Sequence, residues 1–196
     1  MVESAPRDTA AESGGSLPAA SITGELAVSY STLRELTEAA AEIAVVRVEL
    51  TENRPYKDVP FTVATVSVLR SLKGSSMPGS TLTVVEMGGV FAGRSKLEPG
   101  ARGTPVEVGV EGVPVMKAQE EYLLFLGGPT HVGPVLEGAR PVLGVFQGKM
   151  RIDTAGVLRF PGASESLAGI EFAVPRALIG RPLQAVEAEI RADLRR

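Results

Sequence analysis

A mostly β fold, a small closed barrel with one helix flanking it at each end, is what this sequence predicts, on three observations. The longest strand-like run, residues 59–74 (VPFTVATVSVLRSLKG), is rich in Val and Thr, ends on a Lys-Gly turn, and has shorter strand-like runs on both sides. Its apolar residues change phase midway, with Phe61 and Val63 in one alternation and Val66 and Val68 in the other. That places a bulge or strong coil near Ala64 and Thr65, and a long bent strand suits a barrel. Helical periodicity, the third observation, is confined to two short stretches near the ends of the chain.

Composition bounds the rest. A chain of 196 residues with 44% hydrophobic and 22% charged residues suits one domain with a sizeable core, plus a tail. No apolar run approaches membrane-spanning length. The net charge of −3 leaves no basic excess to offset phosphates, which weighs against nucleic acid as the main partner. Cysteine is absent, so disulfides, thiolate nucleophiles and Cys-ligated metals are excluded.

Residues 1–28 are rich in Ala, Ser, Gly, Pro and Glu and show no periodicity, so they read as a disordered tether before a single domain at 29–196. They lack the basic and apolar regions of a signal peptide, so for an exported protein the signal is expected to have been removed or to lie outside this sequence. In residues 30–41, Thr32 and Glu35 stand at capping-box spacing and Leu33, Leu36 and Ala40 recur at helical intervals, predicting a short helix. From Ile43 the period becomes two. Val46, Val48 and Leu50 face one way and Arg47, Glu49 and Thr51 the other, a half-buried strand that should pair antiparallel with the long run after a Pro-bounded turn.

Residues 81–87 form a third strand, completing a meander. Residues 88–115 hold seven glycines and exceed what a structural connection needs, although Val106, Val108 and Val110 alternate as one arm of a hairpin. Long loops on a rigid scaffold are where binding residues concentrate, so Phe91, Arg94, Lys96 and Arg102 are the candidate interaction residues. EYLLFLGG, residues 121–128, reads as a central strand buried on both faces. A further strand is expected over 142–152, with Phe146, Met150 and Ile152 in one phase and Gln147, Lys149 and Arg151 in the other, followed by a turn at Asp153 to Gly156 and a returning strand. Pro182 opens a last amphipathic helix whose stripe is Leu183, Val186, Ile190 and Leu194, with Glu187 and Arg191 paired on its outer side.

The groups that carry catalysis are sparse. His131 is the one histidine and no G-x-S-x-G elbow offers a serine, which argues against a triad. Walker A, dinucleotide-binding and calcium-loop patterns are missing, and the Gly88 to Gly93 run lacks the Lys and helix that phosphate cradling needs. Glu120 and Glu121 are adjacent and point to opposite faces of a strand; Glu111 or Glu137 would have to be brought to one of them by folding. No catalytic, cofactor or metal residue is therefore assigned.

The order of elements, AEIAVVRVEL, FTVATVSVLRSLKG, LTVVEMGG, GVPVMKAQEEYLLFL and GVFQGKMRID, resembles a group of uncharacterised bacterial exported proteins and lipoproteins and, more distantly, the netrin-like module of the tissue inhibitors of metalloproteinases. It covers roughly residues 30–153, and its most specific pieces are Leu72-Lys73-Gly74, Gly88-Gly89, Gly112 with Pro114, residues 121–126, and Gln147-Gly148. The resemblance implies an OB-like barrel, five- to six-stranded and antiparallel. The inhibitors' zinc-chelating terminal cysteine has no counterpart here. Where the related bacterial sequences carry a Gly ahead of the Glu-x-Tyr strand, this chain has Gln119.

Together these readings predict a non-enzymatic module, extracellular or anchored at the cell envelope, that presents the 88–115 loop and one barrel face to an envelope protein or glycan and uses no cofactor. An OB-type module for single-stranded nucleic acid or oligosaccharide, cytosolic or at the envelope, is the second reading. A carboxylate-based hydrolase is the third.

Overall fold

In a computed structural model of the chain, the described residues are 19–22 (backbone), 28–56, 59–91, 105–110, 112–161 and 172–196. They form β1 (Ala19–Ile22), α1 (Leu33–Ala39), β2 (Glu42–Asn53), β3 (Phe61–Lys73), β4 (Thr81–Met87), β5 (Gly89–Phe91), β6 (Val106–Val110), β7 (Glu121–Leu126), α2 (Gly133–Leu136), β8 (Arg140–Pro141), β9 (Lys149–Ile152), β10 (Leu158–Arg159), α3 (Ala173–Leu178) and α4 (Leu183–Asp193). The fold is mostly β with a few helices, as the alternation pattern predicts.

Seven strands make the main sheet, in the order β10-β9-β7-β2-β3-β4-β8. Its spine is the antiparallel pair β2–β3, and the phase change read in the long run has its cause there. Val48 faces Val66 and Leu50 faces Thr65, so Glu49 is an extra residue opposite the predicted kink. Two more shifts leave Leu69 and Leu72 as extra residues on β3, which turns both toward the helices. The bulge at Glu49 also corrects one expectation: Leu50 leaves the face of Val46 and Val48 and lies 53% exposed.

Both faces of this sheet are covered. Ile43, Val45, Leu123, Phe125 and Met150 pack against Leu33 and Leu36 of α1, Val174 and Leu178 of α3, and Leu183, Val186 and Ile190 of α4. The other face is concave and packs largely on itself: Ala44, Val46, Val48, Ala64, Val66, Val68, Val84, Tyr122, Leu124, Leu126 and Val142 meet round Met116. Each Val, Leu or Met among them contributes about 1.5–3 kcal/mol by leaving water. At the far edge, β8 pairs in parallel with β4, while Leu126 bridges Val142 and the Gly127 N–H donates to the Pro141 carbonyl at 2.9 Å. The expected five- to six-stranded antiparallel barrel is thus corrected to a seven-stranded, mixed sheet that is open in strand order.

Local chemistry explains the helices. Thr32 caps α1 by accepting from the Glu35 N–H at 3.1 Å, and the Glu35 carboxylate accepts from the Ser31 N–H at 2.8 Å. Pro182 precedes α4, and its expected stripe is buried except for Leu194, which is exposed. Glu187 does not lie on the outer side: it is buried against β3, with Arg70 Nε 2.8 Å away and Arg191 3.5 Å away. The turn after β9 forms as predicted. The Gly156 N–H bonds the Asp153 carbonyl, and the Asp153 carboxylate accepts from the Ala155 and Val157 N–H groups.

A second, three-stranded sheet, β1-β6-β5, stands beside the main one. The chain crosses into it at Gly88 and Gly89, both at positive φ (116° and 131°), where a Cβ would lie 2.7 Å from the Val108 carbonyl oxygen and 2.5 Å from Asn53 Oδ1. β4 and β5 are therefore one path split by a glycine hinge. Ala19–Ile22 correct the expectation of a structureless stretch to residue 28, because they run parallel to β6. Residues 142–152 are not one strand either: a tight turn at 143–148 separates β8 from β9, with Val145 at φ 63°. Phe146 holds that turn, edge-on to Phe172 at a centroid distance of 4.6 Å and clustered with Val110 and Val113.

Candidate functional site

The expected interaction loop is now divided. Residues 89–91 and 106–110 are the two arms of a hairpin, β5 and β6, with Phe91 opposite Val106. The side chain of Phe91, and Arg94, Lys96 and Arg102 altogether, lie outside the described residues. What the structure describes is the base that carries them.

That base is built on buried polar groups which the sequence reading placed elsewhere. Lys149 falls in the polar phase of the expected strand, yet its side chain is 1% exposed, because its β7 partner is Leu124 and that phase of the sheet faces the concave core. Lys149 Nζ donates to Glu86 Oε2 and, at 2.8 Å, to the Pro114 carbonyl. The Met116 N–H donates to the other oxygen of Glu86, whose side chain is 2% exposed. Two opposite charges removed from water are thus paired, and their remaining capacity is used to pin residues 114–116. Three strands, β7, β2 and β3, lie between β9 and β4 in the sheet, so this pair also reports how far the sheet coils.

Beside it, the Tyr122 hydroxyl donates to the Glu120 carboxylate and accepts from the Lys117 N–H at 3.3 Å. Burial, and secondarily the Glu120 hydrogen bond and charge, push the Tyr122 phenol far above its ordinary pKa. The segment leading from β6 to β7 is thereby held at Pro114, Met116 and Lys117. Gln119, two residues on, has φ 67°, the left-handed conformation that a glycine adopts without strain.

Outside this base, a groove of about 780 Å³ is lined by Arg47, Arg70, Gln119, Glu120, Glu121 and Arg151, among others. Its charges are matched in place: Arg47 with Glu121 at 2.5 Å, Arg151 with Glu120 at 3.4 Å, and Arg70 with Glu187. The hydrogen bond to Glu121, and then the charge of that carboxylate, raise the Arg47 guanidinium above its ordinary pKa. These arginines are engaged by carboxylates rather than gathered into a basic block.

Of the carboxylates considered for hydrolysis, Glu120 and Glu121 line the same groove, but each carboxylate is engaged by partners of its own. Glu120 is held by Tyr122 and Arg151, Glu121 by Arg47, and Glu137 by the exposed His131 at 2.9 Å, while Glu111 lies outside the described residues. Among the described residues, no group of three or more His, Cys, Asp or Glu side chains is placed to hold a metal ion, and no helix is long and apolar enough to cross a membrane. No protein-family model matches the chain, and no curated protein matches it in sequence.

The sequence signal for the buried pair was present but weak. Glu86 is the one charge in a strand reading TLTVVEM, and Lys149 is the first residue of a strand whose next residue is an apolar Met. Alternation alone assigns such residues to solvent, since it does not show that both faces are interior.

Proposed function

We propose that this chain is a non-enzymatic interaction module, exported or anchored at the cell envelope, that uses the β5–β6 hairpin to bind an envelope protein or glycan. The observation that supports this most is the mounting of the hairpin. Its two ends leave a glycine hinge on one side, and on the other a segment tied down by the buried Glu86–Lys149 pair and by Tyr122. A long connection carried on a rigid base is an arrangement suited to recognition. Residues 92–104 contain Arg94, Lys96 and Arg102 against the single acid Glu98, a basic segment on a chain of net charge −3, which favours an acidic partner.

The coiled sheet supports an OB-like reading of the core, of the kind the resemblance to bacterial exported proteins and netrin-like modules implies. Its concave residues are apolar, and residues 140–142 bond both β4 and the end of β7.

The test is site-specific photocrosslinking with the full chain, carrying the crosslinker at position 96 or, as a control, at position 49. Each protein is mixed with envelope and cytosolic fractions of cells that make it. Adducts with an envelope component from position 96 and not 49, lost in Arg94→Glu/Arg102→Glu, are the expected result. Adducts abolished by nuclease would transfer the proposal to a nucleic-acid-binding module, and equal adducts from both positions would overturn it.

A further inference from the structure

We propose that the outer edge of β6 is an acceptor for an extended peptide strand, filled in this structure by β1 of the same chain and open to a partner's segment when β1 leaves. In the small sheet, β6 has β5 on one side and β1 on the other, in a parallel register from Ala19 opposite Glu107 to Ile22 opposite Val110. The outer side of β5 carries a side-chain contact, with Asn53 Nδ2 donating to the Val90 carbonyl. The β6 edge is therefore where this sheet takes up a strand, and β1 demonstrates that its geometry accepts one.

What occupies the edge is held weakly. Among the described residues β1 pairs with β6 alone, over four residues, in the parallel mode that is less stable per residue. Its sequence, Ala-Ala-Ser-Ile, offers one large apolar side chain, so backbone hydrogen bonds must balance most of the entropy of ordering it. β1 reaches β6 from its own body by a short path. Ile22 pairs with Val110, Val110 clusters with Phe146, and the neighbouring Gln147 accepts from the Tyr30 N–H at 3.0 Å, so both ends of the connection lie at the same turn. A weak strand fed from close by is suited to exchange.

The same features specify the partner. It is a protein segment that is extended, uncharged over about four residues, small at its first positions and β-branched at the last, running parallel to β6, which is strand addition to an exposed edge. This adds a second contact to the interaction module proposed above and shares β6 with it, but it rests on the backbone edge of β6 rather than on residues 92–104, so a crosslinker at position 96 that captures nothing would leave it intact.

The probe is a fluorescein-labelled peptide of residues 16–24, SLPAASITG, titrated by anisotropy into the full chain. In Ala20→Pro/Ser21→Pro, adjacent prolines remove donors in both strand phases and free the edge. This variant should bind the peptide at least tenfold more tightly than the unmodified chain, and a scrambled peptide should not compete. Far-UV circular dichroism checks that it is folded; Ile22→Asp, which weakens β1 without altering the backbone, provides the same comparison if it is not. No peptide binding by a folded variant, or equal binding by variant and unmodified chain, would overturn the proposal.

Discussion

Replacing Lys149 by methionine tests the central physical claim about the base of the hairpin. The substitution keeps an unbranched side chain, one atom shorter, and removes its charge and donors. The Glu86 carboxylate, 2% exposed, then keeps one bond, from the Met116 N–H, and the Pro114 carbonyl loses its Lys149 donor. Breaking a buried pair from one side costs about 3–5 kcal/mol, which for a domain of this size lowers the melting temperature by on the order of 10 °C. Glu86→Leu alone should cost a similar amount. In Glu86→Leu/Lys149→Met no charge is stranded, and the loss falls to that of two unsatisfied backbone groups, about 1–3 kcal/mol each. The double variant is therefore expected to lose less stability than the two singles summed, with a coupling on the order of 3 kcal/mol. Urea unfolding followed by far-UV circular dichroism gives all four corners of the cycle, with an unchanged m-value expected. A Lys149→Met loss under about 1 kcal/mol, or additive singles, would refute the claim that the two charges are paired in the interior.

Three further outcomes follow from single positions. Gln119→Gly is expected to raise stability by up to ~1 kcal/mol by relieving the left-handed strain at φ 67°, and a loss in a urea melt would contradict that backbone geometry. Gly89→Ala should cost at least about 2 kcal/mol, since φ is 131° and the new Cβ would meet Asn53 Oδ1 and Thr62 Oγ1; amide exchange should show β5 and β6 opening first. The Tyr122 pKa is raised above its ordinary 10.0, so its contribution is complete below pH 10 and falls as the pH rises toward the folded value. Thermal melts between pH 8 and 11 should decline above 10, and Tyr122→Phe should flatten that decline while costing about 1 kcal/mol at neutral pH; an identical slope in the variant would rule the assignment out.

Much of the fold was legible because it is decided locally. The Thr32 and Glu35 cap, the Asp153 to Gly156 turn, the antiparallel β2–β3 pair and the doubly buried β7 each rest on a few adjacent residues whose preferences agree. Even the phase change between Val63 and Val66 pointed to the right place, although the extra residue proved to be Glu49 on the facing strand. The composition of residues 92–104 was likewise readable as a basic segment.

Tertiary structure decided the rest, because it depends on which surfaces meet. Lys149, Glu187 and Glu86 were assigned to solvent or left unremarked, and all three are buried: coiling brings β9 over β4, and α4 lays Glu187 against β3 beside Arg70. A charge is placed inside only when a distant residue supplies its partner, and a local pattern holds no record of that partner. The four residues of β1 show the same limit. Nothing in Ala-Ala-Ser-Ile distinguishes a strand from a tether, and the open edge of β6, some ninety positions later, is what makes it one.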